Sequence, residues 1–324
     1  MYTSKEILHM VESAIAALPY DRQPQSLYEP IKYVLSLGGK RVRPVLMLMA
    51  YNLWQENPES ILMNAIALET YHNHTLLHDD LMDRADVRRG QPTVHRKWDD
   101  NAAILSGDTM LLLAFQRMMA CDKQHMPAVM SLFTETAIEI CDGQQYDMEF
   151  ETRNDVREEE YIEMIRLKTS VLLACALKIG AILADAPQSD ADALYEFGEK
   201  LGLAFQLQDD YLDVYGDPKV FGKRIGGDIL CNKKTYMLIN ALSRANEEQR
   251  GQLIQWISAV DYDAEEKIAA VTALYNEIGI PAVAREKINA YFVEAEAALE
   301  RVNLSQEKKE ILWQYALKML NRQS

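Results

Sequence analysis

Two groups of acidic residues have the types and spacing to do chemistry. Asp79, Asp80 and Asp83 follow the run YHNHTLLH, and Asp209, Asp210 and Asp213 follow LGLAFQLQ. Both read Asp-Asp-x-x-Asp. On a helix, residues four apart share a face, so Asp79 points with Asp83 and Asp209 with Asp213. Three carboxylates packed this closely repel one another and weaken the helix that carries them. A single such run is ordinarily a solvated acidic face. Two identical runs, each interrupting an apolar helix, point instead to a hard divalent ion. Mg²⁺ takes oxygen ligands, typically one or two carboxylates together with substrate phosphates. An EF-hand is excluded, because its loop spacing and its glycine are absent.

The cations complement this picture. Gly38-Gly39-Lys40-Arg41-Val42-Arg43-Pro44 is compact and basic, and Arg88-Arg89 follow Asp83 closely. Lys168-Thr169 lie on a helix, Lys223 and Arg224 in a Gly-rich loop, and Lys233-Lys234-Thr235 just after it. Arg binds phosphate oxygens bidentately and Lys acts as a point charge. A substrate carrying both a diphosphate and Mg²⁺ would use both signs of charge. No G-x-x-x-x-G-K-[ST] is present, which excludes a P-loop nucleotide site.

The elements that must position these residues are helices. Only 14 Gly and 10 Pro punctuate 324 residues. Apolar residues recur at threes and fours, as in Tyr161, Met164, Ile165 and in Leu201, Phe205, Leu212. Alternation of period two is nowhere sustained. The run VLLACALKIGAILA is long and Ala-rich enough to be a buried helix rather than strands. Breaks fall at Gly38-Gly39, at the polar loop Arg88-Arg89-Gly90-Gln91-Pro92, at Asp185-Ala186-Pro187 and at Gly216 to Gly227. None resembles a linker. The expectation is one all-α domain over residues 1–324, since a parallel-sheet enzyme would need alternating strands.

Bulk properties narrow the partners. A net charge of −15 argues against binding nucleic acid or anionic lipid through a general basic surface. Cys121, Cys141, Cys175 and Cys231 lack C-x-x-C spacing and are expected to be reduced thiols. The segment MYTSKEILHMVESAIAALPY has charges spread among its apolar positions, unlike a signal peptide. No run of about 18 apolar residues predicts a membrane span. A soluble, cytoplasmic protein is expected.

These residues together resemble the trans-isoprenyl diphosphate synthases, which make farnesyl, geranylgeranyl and longer prenyl diphosphates. The segments that carry the likeness are GGKRVRP (38–44), HDDLMDRADVRRGQPTVH (78–95), GDTMLLLAF (107–115), GQQYD (143–147), KTS (168–170), FQLQDDYLDVYGD (205–217) and FGKRIGGDI…KKT (221–235). They occur in family order, which one Asp-Asp-x-x-Asp alone would not make specific. The resemblance implies a many-helix bundle around a central cavity, the isoprenoid synthase fold. It implies isopentenyl diphosphate held by Lys40, Arg43, His72 and Arg89. It implies an allylic diphosphate held through three Mg²⁺ by Asp79, Asp83 and Asp209, with Asp80 and Asp213 completing the metal-binding motifs. Arg88, Lys168, Lys223 and Lys233 would touch that diphosphate directly, and Thr169 and Gln206 would line the reacting carbons. The departing diphosphate would serve as base, so His72, His74 and His78 need not be acid–base catalysts. The family also implies a homodimer, for which the apolar helix at 101–120 is a candidate interface.

In such enzymes the growing chain runs beside the first aspartate helix. Residues four, five and eight positions before its first Asp are Thr75, His74 and Tyr71 here. Eight residues of helix span about 12 Å. Thr75 is small, so Tyr71 with His74 is the expected floor. The first motif lacks the insertion typical of bacterial farnesyl synthases. Geranylgeranyl diphosphate is therefore the expected product, with farnesyl diphosphate the alternative. A terpene cyclase would normally replace the second motif with an Asn/Ser/Glu-type site. A non-catalytic partner subunit would tend to lose one motif, and an acidic helical scaffold would leave the ordered cations unexplained.

Overall fold

A computed structural model describes residues 2–217 and 225–320, and these are almost entirely helical. The helices are α1 (Ser4–Ala16), α2 (Gln25–Ser36), α3 (Val42–Tyr51), α4 (Leu62–Met82), α5 (Val94–Lys97), α6 (Asp100–Met118), α7 (Met126–Thr152) and α8 (Glu158–Ile165). They continue with α9 (Val171–Leu183), α10 (Gln188–Tyr215), α11 (Gly227–Leu230), α12 (Tyr236–Arg244), α13 (Glu247–Ser258), α14 (Ala264–Ile278), α15 (Ile280–Glu300) and α16 (Gln306–Leu320). None of the four cysteines is in a disulfide. Among the described residues no helix is long and apolar enough to cross a membrane.

The residues fall into two compact units, 1–133 with 176–192, and 134–175 with 193–324. In the first unit, α4 packs against α1, α2, α3 and especially α6. Local signals set its helices. Thr3 and Glu6 form a capping box that starts α1, and Ile7, Val11 and Ile15, one per turn, are buried. Each such burial contributes about 2 kcal/mol. Helix α3 is enclosed all round, with Val45 through Ala50 fully buried, as a helix apolar on every face must be. Helix α4 is also enclosed from Asn64 to Tyr71. Its buried Asn64 donates to the Met118 carbonyl at 2.8 Å, and Arg117 of α6 donates to Thr70 at 3.1 Å. These bonds satisfy polar groups that would otherwise be costly to bury. The last turn of this anchored helix carries Asp79 and Asp80.

The second unit contains most of α7, α8 and most of α10. Helix α12 packs on α8, α14 and α15, and α14 packs on α11, α13 and α15. Leu194, Phe197, Leu201, Ala204, Leu207 and Tyr211 of α10 are buried, the spacing of three and four that the sequence displays. The run VLLACALKIGAIL is the buried helix α9.

Two local structures differ from the sequence expectation. The polar loop at 88–92 is a β-hairpin, Val87–Arg88 pairing with Gln91–Pro92. Its two-residue turn, Arg89-Gly90, has positive φ at both positions, as a type I′ turn requires. The Lys168-Thr169 stretch is a turn of π-helix, Arg166–Ser170, between α8 and α9. There the Val171 amide donates to the Arg166 carbonyl, five residues back. Such bulges are rare and occur frequently at functional sites.

Candidate active site

The first unit brings a cationic patch and a carboxylate patch together through the hairpin. Asp79 and Asp80 lie in the last turn of α4, and Asp83 is its C-cap, its amide donating to the Asp79 carbonyl at 2.9 Å. The i, i+4 pairing of Asp79 and Asp83 expected from the sequence therefore holds. Carboxylates at this end of a helix oppose the macrodipole, at about 0.3–1 kcal/mol each. Arg88 partly compensates. Its Nε donates to Asp80 at 2.7 Å, and its other edge is 3.8 Å from Asp79. Asp80 is buried, so it serves Arg88 while Asp79 and Asp83 are the more exposed pair.

The neighbouring residue in the turn, Arg89, donates to the Gly38 carbonyl. A Cβ on Gly39 would sit 2.8 Å from the Arg89 guanidinium. The Gly-Gly pair thus gives the guanidinium room to lie on the backbone. Arg43 donates to His72 Nε2 at 3.1 Å, which requires that nitrogen to be unprotonated. Burial, and then Arg43, Arg89, Arg88 and Arg41, hold His72 well below the ordinary histidine value. Burial also pulls Arg43 down to about 10, with Glu69 opposing and Arg89 adding to the shift. Arg43, His72 and Arg89, drawn from three sequence segments, belong to this one patch, with Lys40 exposed on the loop that leads into it.

Above it on α4, Tyr71 is fully buried and packs edge-on to Phe133 at 5.3 Å, which in turn meets Phe115 at 4.8 Å. His74 lies beside Tyr71 at 5.7 Å and against His78 at 4.6 Å. Burial, then His78, pulls His74 down to about 4, so it packs as a neutral ring. Thr75 turns its hydroxyl to the His72 carbonyl at 2.8 Å.

In the second unit, Asp209, Asp210 and Asp213 lie in the last two turns of α10, mirroring the first motif's position. Asp210 points inward. It accepts hydrogen bonds from Tyr161 and, at 3.3 Å, from Gln206. Burial, then the Asp228 carboxylate, raises it to about 7. Asp213 accepts the Asp228 amide at 3.0 Å, tying the motif to α11. Lys168 donates to Asp147 of α7 at 2.6 Å. Burial alone would raise Asp147, but Lys233 and Lys168 hold it below the ordinary aspartate value. Lys168, Lys233 and Asp147 are thus one cluster. Lys223 and Arg224 lie outside the described residues. Among the described residues no three His, Cys, Asp or Glu side chains are gathered tightly enough to hold a metal ion unaided.

Glu69 and Tyr161 lie outside the motifs, while Asp147 and Asp228 fall within GQQYD and FGKRIGGDI but carry no expected role there. For Glu69 a signal existed, a lone carboxylate in the apolar run NAIALETY, since unpaired Glu is almost never fully buried.

An all-α chain with one Asp-Asp-x-x-Asp ending each of two core helices, and arginines and lysines around both, has the features of a helical diphosphate-handling enzyme. The chain belongs to the polyprenyl synthetase family, whose model matches residues 24–277. It is 38% identical to a geranylgeranyl diphosphate synthase of Methanosarcina mazei, over 97% of this chain and 95% of that one. Its fold is similar to the crystal structure of a geranylgeranyl pyrophosphate synthase, with TM-score 0.92, 40% identity and 100% of both chains covered. It is also similar to a geranylgeranyl pyrophosphate synthase from Corynebacterium glutamicum complexed with isoprenyl diphosphate and magnesium, with TM-score 0.84 and 27% identity over 99% of this chain and 97% of that one.

Proposed function

We propose that the protein is a short-chain trans-prenyltransferase, residues 1–324 working as one isoprenoid synthase domain. It condenses isopentenyl diphosphate with dimethylallyl, geranyl or farnesyl diphosphate to give geranylgeranyl diphosphate. The observation that carries this reading is the layout of the first unit. An anion patch of Arg43, His72 and Arg89 and a carboxylate patch of Asp79 and Asp83 are joined through Arg88. The family resemblance implies one diphosphate bound directly by cations and another bound through metal, and the two patches suit that division. Bound at such carboxylates, Mg²⁺ neutralises the charge that develops on a leaving diphosphate. All-oxygen donors at the negative end of a helix suit that hard cation. In the first unit Asp79 and Asp83 are the residues that would hold it, and in the second unit Asp209 offers a carboxylate of the same kind.

The chain's own residues do the rest. Lys168 and Lys233 add positive charge for the leaving diphosphate. As the allylic C–O bond ionises, the isopentenyl double bond attacks the allyl cation. The proton then lost goes to the departing diphosphate. No side-chain base is required, which agrees with a His72 engaged by Arg43 and a neutral, packed His74. Thr169, on the π turn, and Gln206, held by Asp210, supply polar groups beside the reacting carbons.

Tyr71, backed by Phe133 and Phe115, is the floor that stops growth, with His74 at its side. Incubation with isopentenyl diphosphate, each allylic diphosphate in turn and Mg²⁺ should yield a C20 diphosphate, and EDTA should abolish it. Tyr71→Ala should extend the product by at least one C5 unit. No consumption of any primer would sink the assignment. Unchanged product length in both Tyr71→Ala and His74→Ala would remove the floor from these residues.

The protein works in the cytoplasm as a homodimer. Helix α6 leaves Ile104, Leu105 and Leu112 exposed, Leu112 by 70%, and Met119 just past its end is exposed as well. Large apolar side chains exposed together on one helix mark an interaction surface. Sedimentation should give a dimer for the native chain and a monomer for Leu105→Lys/Leu112→Lys. A native monomer would refute the interface.

A further inference from the structure

The geometry points to Glu69 as the buried counter-ion that holds the isopentenyl diphosphate patch together, a positioning residue that itself touches no substrate. The inference rests on the reading of Arg43, His72 and Arg89 as that patch.

Glu69 lies on α4, three residues before His72, and is 2% exposed. Its Oε1 accepts from Arg41 at 2.7 Å and from Asn73 at 2.9 Å. Arg41 is enclosed by protein acceptors on its remaining edges. Its Nε donates to Glu12 at 2.8 Å, and its other terminal nitrogen donates to the Leu35 carbonyl at 2.6 Å. Although Arg41 belongs to the basic stretch between Gly38 and Pro44, it is turned into the core and 3% exposed. Its backbone is left-handed, φ 48°, which costs about 1 kcal/mol for a residue with a Cβ. The Arg41–Glu69 pair holds that turn, leaving Lys40 exposed and Arg43 against His72.

The second line of support is electrostatic. Glu69 is the carboxylate that sustains the charge on Arg43 against burial, and with Asp80 it does the same for Arg89. Arg88, the remaining cation facing His72, is committed to Asp80. Removing Glu69's charge leaves Arg41, Arg43 and Arg89 repelling one another, offset by the half-exposed Glu12 at Arg41 and by Asp80, which is already paired with Arg88. Before a diphosphate arrives, only neutral acceptors would then hold Arg43 and Arg89, His72 for the one and the Gly38 carbonyl for the other. A buried ion pair is seldom retained for stability, since apolar residues of equal size often serve as well. Preorganisation of an anion site is a function it can have.

Coulomb's law taken alone gives the opposite expectation, because a carboxylate near the site repels a diphosphate. The two readings separate in Glu69→Gln, which keeps the shape and one acceptor for Arg41. Preorganisation predicts a KM for isopentenyl diphosphate raised by about 10-fold, with kcat and the allylic KM within about 2-fold. It also predicts that affinity for isopentenyl diphosphate falls off at lower pH in the variant than in the native enzyme, because Arg43, whose charge burial and Arg89 oppose, loses the carboxylate that sustains it. Glu69→Asp should recover part of the affinity. Tighter binding, or unchanged KM and pH profile, would overturn the inference. Should Glu69→Gln fold poorly, Arg41→Met/Glu69→Met replaces the pair with apolar chains. A normal isopentenyl KM there would show that the carboxylate merely satisfies Arg41, which also overturns it. Arg43→Ala is the control for the underlying site. If it leaves the isopentenyl KM unchanged, the patch itself has been misread. If it raises that KM while Glu69→Gln does not, only the role of Glu69 fails.

Discussion

Asp79→Asn should lose about 10²–10³ in kcat/KM, the cost typical of removing one preorganised electrostatic group, while folding as stably as the native chain. The two halves of this expectation have different causes. Asp79 lies where its charge is unfavourable to its own helix, at the carbonyl end of α4 beside Asp80 and Asp83, with Arg88 at 3.8 Å. Its charge works against the helix dipole and against its neighbours. Neutralising it should leave the unfolding midpoint unchanged or raise it by about 1–2 °C, from a dipole term of about 0.3–1 kcal/mol. A side chain whose charge costs stability and is kept at the mouth of a cationic patch has its use in binding. Asp80→Asn is the contrast. Asp80 is buried and accepts the Arg88 Nε at 2.7 Å, so its loss should cost about 1.5–3 kcal/mol of stability. Thermal unfolding and steady-state kinetics over a Mg²⁺ titration distinguish the two. The Asp79 variant should need more Mg²⁺ for half-maximal rate. Full activity in Asp79→Asn would take the first motif out of the chemistry, and a destabilisation equal to that of Asp80→Asn would make it structural.

That contrast marks what was legible in the sequence. The helical class was plain, because periods of three and four persist through α8 and α10 and glycine and proline are sparse. Family order placed Lys40, Arg43, His72, Arg88 and Arg89 on the page together, and the structure gathers them in one unit. The spacing did not say which members of a motif point outward. Asp79 and Asp80 are adjacent letters, yet one is partly exposed and the other buried under Arg88. Asp210 likewise turns inward to Tyr161, a residue 49 positions away. Long-range partners of this kind depend on packing that no local pattern encodes. The hairpin was missed because two-residue strands show no alternation, and Arg-Gly is an uncommon type I′ pair. The π turn was missed because a single extra residue barely disturbs helical periodicity.

The π turn also makes a demand on its neighbours, and Gly143→Ala should expose it. A Cβ at Gly143 of α7 would fall 2.4 Å from the Lys168 amide nitrogen and 2.8 Å from the Leu167 carbonyl carbon. These are backbone atoms, so no side-chain rotation relieves the clash, and α7 must move away from the turn. On the other side, a Cβ at Gly202 of α10 would meet the Ser170 Cα at 2.6 Å. The wide turn that presents Lys168 and Thr169 is seated between two helices at glycines. Gly143→Ala should cost about 1–3 kcal/mol by overpacking, despite the gain of about 1 kcal/mol that alanine brings to an unhindered helix. It should also lower kcat by about 10², since displacements of the order of 1 Å at a catalytic group cost that much. The Lys168–Asp147 contact of 2.6 Å is the bond most directly disturbed. Gly251→Ala, in the exposed part of α13 with nothing within 4 Å of the added carbon, is the matched control. It should stabilise the protein by about 0.5–1 kcal/mol and leave turnover unchanged. Urea denaturation and single-turnover rates read both effects. If Gly143→Ala behaves like Gly251→Ala in stability and rate, close seating of the π turn is not what positions Lys168. A large loss of stability with native turnover would mean that the turn holds its lysine without the helix that covers it.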